Sequence, residues 1–317
     1  MVTTDQIHEE ALIFDGLFPQ PIREDTVDNA RSVGIDAANQ TVVSYSEDFT
    51  SAIEKIEKEQ EKINELDNVH QARSAAEIRS QDGLSVVFGF QNSQPLERAR
   101  EPHRHARTFE ELGVKIIQLT YNEQNYSGCG CTERRDSGLS DFGYEVIDAL
   151  ESNDIILDLS HVGPNTAAEA IEASSQPVIF SHANANGLVD YCRNISDELI
   201  KATIETAGTV GISSFYPMLG EDPTHKDFVD HIEYMSDLVG PENVAIGLDN
   251  GVTEYPQNLA ENPYFPDPPS PDVEGLSSND QLPNVTEELL TRGFTRSEID
   301  GFLGENLLRV LEDVWGE

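Results

Sequence analysis

Cysteine is scarce in this chain. Cys129, Cys131 and Cys192 are the three present among 317 residues. An odd and sparse set argues against a disulfide framework, and Cys129-Gly130-Cys131 lacks the two-residue spacer of common zinc and redox pairs. Cys129 and Cys131 are expected to be ordinary loop thiols of a reducing cytoplasm. Long apolar runs are missing as well. No stretch of about 18 apolar residues occurs, so no membrane span is expected. The N-terminal MVTTDQIHEEALIFDG has neither a basic start nor a long apolar core, and so does not look like a secretory signal.

Positive charge is the largest deficit. Lysine and arginine total 20, six of them lysine, against 59 aspartates and glutamates, for a net charge of −39. Nucleic acid and anionic membranes need a basic footprint, so neither is expected as a partner. Self-repulsion on this scale strains a fold in dilute buffer. Molar salt, which shortens the Debye length to about 3 Å, makes it tolerable. The acids are spread along the whole chain rather than gathered in blocks. That favours adaptation to high internal salt, as in halophilic archaea, over an acidic interaction surface.

The 38% of hydrophobic residues marks a globular chain, and its length suits one or two domains or a single barrel. Apolar runs recur at 11–18, 41–46, 84–90, 114–121, 155–161, 177–182, 209–215 and 244–249. They are rich in Val and Ile and mostly continuous, as parallel strands covered on both faces should be. Helical patterns lie between most of them, at 51–72, 97–113 (broken early by Pro102), 139–152, 164–175, 196–208 and 224–240. Strands alternating with helices predict an α/β fold, a (β/α)8 TIM barrel forming one domain over 1–317. A doubly wound open sheet would need a phosphate-type glycine loop after an early strand, and none is present. A Pro-rich insertion at about 253–284 is expected to lie over the barrel mouth as a lid or substrate wall. Helices at 286–293 and 295–315 then close the chain, with apolar positions mostly in the outer layer.

Barrel sites gather at the C-terminal ends of strands. His161, His182 and Asp249 fall there, on the fifth, sixth and eighth predicted strands. Adjacent parallel strands lie about 4.8 Å apart, so two such imidazoles can reach one metal ion. Neutral imidazole and carboxylate suit zinc.

These residues carry a resemblance. The stretch Gly138 to Ala185, with 157-LDLSHVG-163 and 177-PVIFSHANA-185, resembles the membrane dipeptidase (renal dipeptidase) family of zinc metallopeptidases. So do 192-CRNISDELI-200, 226-KDFVDHIEYMSDLVGPENVAIGLDNGV-252 and 303-LGENLLRVLEDVW-315. The resemblance implies an amidohydrolase-type barrel that cleaves dipeptides, some members also opening β-lactams. It implies His161 and His182 as ligands of one zinc. Asp249 is implied to bind metal or to take a proton from the attacking water. Arg193 matches the arginine that pairs with the substrate carboxylate. The chain also departs from the family. Where the first strand normally ends His-x-Asp, it reads 15-DGLFPQ-20. The bridging glutamate position falls at or next to Gln91, whose carbonyl can ligate a cation without bridging two. The family's transition-state histidine falls near Tyr121 and Asn122, which can donate a hydrogen bond to an oxyanion. Glu133, Arg134 and Asp136 border the pocket, either as substrate contacts or as a solvated charged loop.

The expectation is a zinc metallopeptidase of the dipeptidase type that holds one ion, other divalent metals being admissible. It would act on a small dipeptide-like substrate in the cytoplasm, with a homodimer left open. The competing reading is a metal-site-degenerate barrel that binds an amino-acid-like ligand without hydrolysis. A lyase or isomerase acting on a modified amino acid is the third.

Overall fold

The computed structural model describes residues 3–44, 47–97, 101–250 and 273–316. Strands β1 (Ile13–Phe18), β2 (Ile35–Val43), β3 (Val69–Gln71), β4 (Leu84–Phe90), β5 (Val114–Gln118), β6 (Ile156–Asp158), β7 (Ile179–Phe180), β8 (Thr209–Ile212) and β9 (Val244–Ile246) form one sheet. Every pairing is parallel, in the order β1-β2-β4-β5-β6-β7-β8-β9, with β3 attached to β4. The seam between β9 and β1 is closed by single bonds. Asp249 N–H donates to Leu17 O at 3.1 Å, and Leu248 N–H donates to the Asp15 carboxylate at 2.7 Å. Helices α1 (Thr4–Glu10), α2 (Glu24–Ser32), α3 (Phe49–Glu65), α4 (Ala75–Ser80), α5 (Pro102–Glu111), α6 (Asp141–Glu151), α7 (Pro164–Ala173), α8 (Asp197–Glu205) and α9 (His225–Val239) lie between and around the strands. The architecture is the expected (β/α)8 barrel.

Several boundaries differ from the expectation, each for a local reason. The second strand is Ile35–Val43 rather than 41–46, of which residues 45–46 lie outside the described residues. Its polar Asn39 and Gln40 are buried, so no apolar run announces it. The long helical pattern at 51–72 ends at Glu65, and Val69–Gln71 pairs instead with Leu84–Val86. Pro102 starts α5 rather than breaking a helix, because a first-turn residue needs no N–H donor.

The core has two large parts and a small cluster of Phe215 and Met218. One lies between the sheet and its surrounding helices. The other fills the bottom of the barrel, where Phe14, Ala37, Val87, Ile116, Ile156, Ile179 and Ala245 cluster with Leu307, Leu308, Val310, Leu311 and Val314. The terminal helix, Asn306–Trp315, therefore plugs the lower end instead of packing in the outer layer as expected. It is preceded by helices at Leu282–Arg292 and Arg296–Asp300 and a π-helical turn at Gly301–Glu305. Asn306 fixes the plug by donating to Pro241 O (2.8 Å) and Val244 O (2.7 Å). Residues 253–272, most of the lid expected at 253–284, lie outside the described residues.

Candidate active site

At the upper end of β7, Ser181 O packs closely against Gly211 of β8 and Gly247 just after β9: a Cβ at these positions would sit 2.2 Å or 1.9 Å from that oxygen, so both need glycine. This places His182 inside the mouth. His161 reaches it from the turn after β6, in the left-handed region at φ 65°. The loop after β5 clamps that turn: Cys131 N–H donates to His161 O at 2.9 Å and Gly163 N–H to Cys129 O at 2.9 Å. Asn122 (φ 59°) and Asp249 (φ 55°) are also left-handed. Such strained conformations in non-glycine residues concentrate at functional sites.

The two imidazoles face each other, with Nε2 to Nε2 at 2.9 Å. Their far sides fix the tautomers. His161 Nδ1 lies 2.7 Å from Asn122 Oδ1, which can only accept, so Nδ1 carries the proton. His182 Nδ1 lies 2.6 Å from Ser181 Oγ, whose own hydrogen goes to Asp158 Oδ2 at 2.6 Å. Ser181 therefore accepts from His182, and that Nδ1 is protonated too. Both histidines are buried, and burial, with Arg193 nearby, pushes them well below the usual imidazole range. They are neutral, and each turns a lone pair toward the other. Two lone pairs at this distance repel unless a cation lies with them, so the donor set fits a metal ion. Among the described residues, no third His, Cys, Asp or Glu joins them in a metal-holding group.

Arg193 is buried. Its Nη2 donates to His182 O at 3.3 Å, and its Nε has no partner among the described residues. No carboxylate pairs with it among those residues, although the chain has acid to spare. Tyr121 stacks on His161, ring centres 4.1 Å apart. Asn122 is fully buried, and its Nδ2 has no partner among the described residues. Asp249 retains some exposure, yet burial of its carboxyl pushes its pKa up to about 7, a shift that Arg193 moderates.

The opposite side of the mouth is built differently. Asp15, where the family carries its ligand pair, accepts from Leu17 N at 3.1 Å and Leu248 N at 2.7 Å. Burial raises its pKa to about 7. Gln91 donates to Thr41 Oγ1 at 2.8 Å, and its backbone oxygen accepts from Gln118 Nε2 at 2.7 Å. The charged loop divides. Asp136 caps α7, accepting from Asn165 N (2.6 Å), Thr166 N (3.0 Å) and Thr166 Oγ1 (2.6 Å). Glu133 binds Gln124 N at 2.9 Å, and Arg134 is exposed. For Asp136 the role is structural.

Sequence reasoning missed Asp158, Ser160 and Ser181. Asp158 also accepts from Ser160 N (2.9 Å) and Ser181 N (3.0 Å), and His182 N–H donates to Ser160 Oγ at 3.1 Å. The signal was the repeated Ser-His dipeptide, Ser160-His161 and Ser181-His182.

A family model described as membrane dipeptidase, peptidase family M19, matches residues 24–315. The dipeptidase aclJ of Aspergillus oryzae is 31% identical over 216 residues, covering 66% of this chain and 47% of that protein. The chain spans about half the length of the curated relatives it matches. A crystal structure of an amidohydrolase from Pseudomonas aeruginosa superposes with a TM-score of 0.91 at 34% identity, covering 100% of both chains. A metallo peptidase from Rhodobacter sphaeroides, liganded with a phosphinate mimic of the dipeptide L-Ala-D-Ala, shares the fold. Its TM-score is 0.78 at 15% identity, over 96% of this chain and 99% of that one. Among the described residues, no helix is long and apolar enough to cross a membrane.

Proposed function

This chain belongs to the membrane dipeptidase family, and from that premise we propose that it is a metal-dependent hydrolase of a dipeptide or related small amide. The observation that carries the reading is the facing pair of imidazole lone pairs, 2.9 Å apart, with both tautomers set by buried partners. His161 and His182 would hold one divalent cation, zinc by the chemistry of its donors, with Asp249 or solvent completing the shell. Gln91, its amide nitrogen held by Thr41, would offer only a neutral oxygen. When bound, the cation supplies Lewis acidity that polarises the scissile carbonyl and makes water nucleophilic near neutral pH.

The chain's own side chains would do the rest. Arg193, buried and lacking an ion partner among the described residues, offers its planar fork to the substrate's terminal carboxylate. Asp249, with its pKa near 7, takes the proton of the attacking water and passes it to the leaving amine. Asn122 Nδ2 donates to the developing oxyanion, with the Tyr121 hydroxyl beside it.

The test is hydrolysis of a dipeptide panel by protein purified in molar salt, stripped with chelator and resupplied with zinc, manganese or cobalt. Metal-restored release of amino acids is the expected result. Dipeptide binding that requires Arg193 but gives no hydrolysis with any metal would establish the alternative, a barrel that binds an amino-acid-like ligand. The neutral Gln91 favours that alternative.

The acid surplus supports adaptation to a salt-rich cytoplasm. The melting temperature is expected to fall as salt drops from molar to about 0.1 M. An unchanged melting temperature would return the argument to an acidic interaction surface.

A further inference from the structure

We propose that Cys131 and Cys192 form an oxidisable dithiol at the edge of the active site, which a low-molecular-weight disulfide converts to an intramolecular disulfide. The two cysteines come from separate loops, after β5 and after β7, and line one cavity of about 290 Å³ with His161, Tyr191 and Arg193. All three cysteines of the chain are free thiols. Cys129 is buried, whereas Cys131 and Cys192 keep some exposure, so a reagent entering the cavity meets these two.

The surroundings suit exchange. Cys131 and Cys192 interact across this cavity, and the neighbouring Cys131 thiol lowers the Cys192 pKa against the opposing effect of burial. The Arg193 charge also favours the Cys192 thiolate. A reactive thiol is one held beside positive charge and partly accessible.

The exchange balances without further reactants. The Cys192 thiolate attacks one sulfur of the small disulfide and expels one thiolate, leaving a mixed disulfide. Cys131 then gives its proton to solvent and attacks the Cys192 sulfur, forming the Sγ–Sγ bond and expelling the second small thiolate. Two protein thiols are oxidised and one small disulfide is reduced to two thiols.

Closure would act on the neighbouring site residues. Cys131 Sγ lies 3.6 Å from Asn122 Oδ1, the same oxygen that accepts from His161 Nδ1. Cys192 immediately precedes Arg193. The bond would therefore draw together the loops that set His161 and the guanidinium.

The covalent chemistry is read directly, so the test stands apart from the hydrolase reading. The native full chain is incubated with oxidised glutathione in molar salt, alkylated and mapped by mass spectrometry. The expected result is a Cys131–Cys192 cross-linked peptide pair, reversed by dithiothreitol, with Cys129 still alkylated. Cys129→Ser should keep the cross-link. Separate alkylation of Cys131 and Cys192 in the treated native protein would overturn the proposal. So would stable mixed disulfides with glutathione alone, or a cross-link through Cys129. The wild-type map decides the matter even if a variant fails to fold.

Discussion

The β6–β7 side of the barrel mouth and the β1–β4 side are built from similar polar parts put to different use. On the first, a side chain spends one atom on orientation and leaves another open. His161 and His182 commit Nδ1 and leave Nε2. Asn122 commits Oδ1 and leaves Nδ2, and Arg193 commits Nη2 and leaves Nε. On the second, Asp15 spends its carboxylate tying β1 to β9, and Gln91 spends its amide nitrogen on Thr41. A buried polar atom without a partner costs about 1–3 kcal/mol. Asn39 Oδ1 and Gln40 Oε1 of β2 are open as well, but these are neutral carbonyl oxygens, whereas the imidazole lone pairs and the guanidinium fork are the groups suited to a metal ion and a carboxylate. The same carboxylate chemistry on the other side has become part of the fold.

The sharpest way to break this comparison is to remove an imidazole. His161→Ala and His182→Ala should each abolish tight metal binding with the fold retained, measured by metal content alongside circular dichroism. A variant that keeps its metal would show that the pair is not the holding site.

Next in size is the pH dependence of Asp15. Its pKa is about 7 in the fold against 3.8 for an ordinary aspartate. Between those values the folded state binds more protons than the unfolded one, so this residue's contribution falls as pH rises from about 4 to 7. The fall amounts to at most about 4 kcal/mol. Asn at this position keeps an acceptor and cannot ionise. The stability of Asp15→Asn relative to wild type should therefore shift in the variant's favour across that window, followed by urea unfolding at a series of pH values. Parallel profiles would contradict a structural carboxyl there.

The smallest effect sharpens the other side. Ser181→Ala removes the acceptor that sets the His182 tautomer and cuts its link to Asp158. Losses of an outer-shell partner of this kind weaken metal binding by about 10–100-fold. Competition against a chromogenic chelator should show that drop in a folded protein. Unchanged affinity would mean that Ser181 does not orient the ring.

The barrel was legible because continuous Val- and Ile-rich runs such as 84-LSVVFGF-90 leave few alternatives to buried parallel strands. Where the interior turns polar the pattern fails, and β2, with Asn39 and Gln40 buried, was displaced toward its mouth end. β3 is too short to interrupt the helical periodicity before it. The C-terminal helix reads as amphipathic in sequence, but nothing there says that its apolar face closes the barrel bottom rather than its side. His161 and His182 were legible as strand ends. The Asp158–Ser181–His182 relay was not, because Asp158 and Ser181 meet only through the pairing of β6 with β7. The neighbourhood of Cys131 and Cys192 depends on two loops folding over one cavity, which no local pattern encodes.

The central claim is that one side of the mouth holds a cation and the other does not. Elemental analysis of the protein, purified and dialysed in molar salt, tests it most directly. The expected result is about one transition-metal ion per chain. Two tightly held ions per chain would contradict it, because a carboxylate such as Asp15 or Glu123 would then have to serve as a ligand in place of the missing pair.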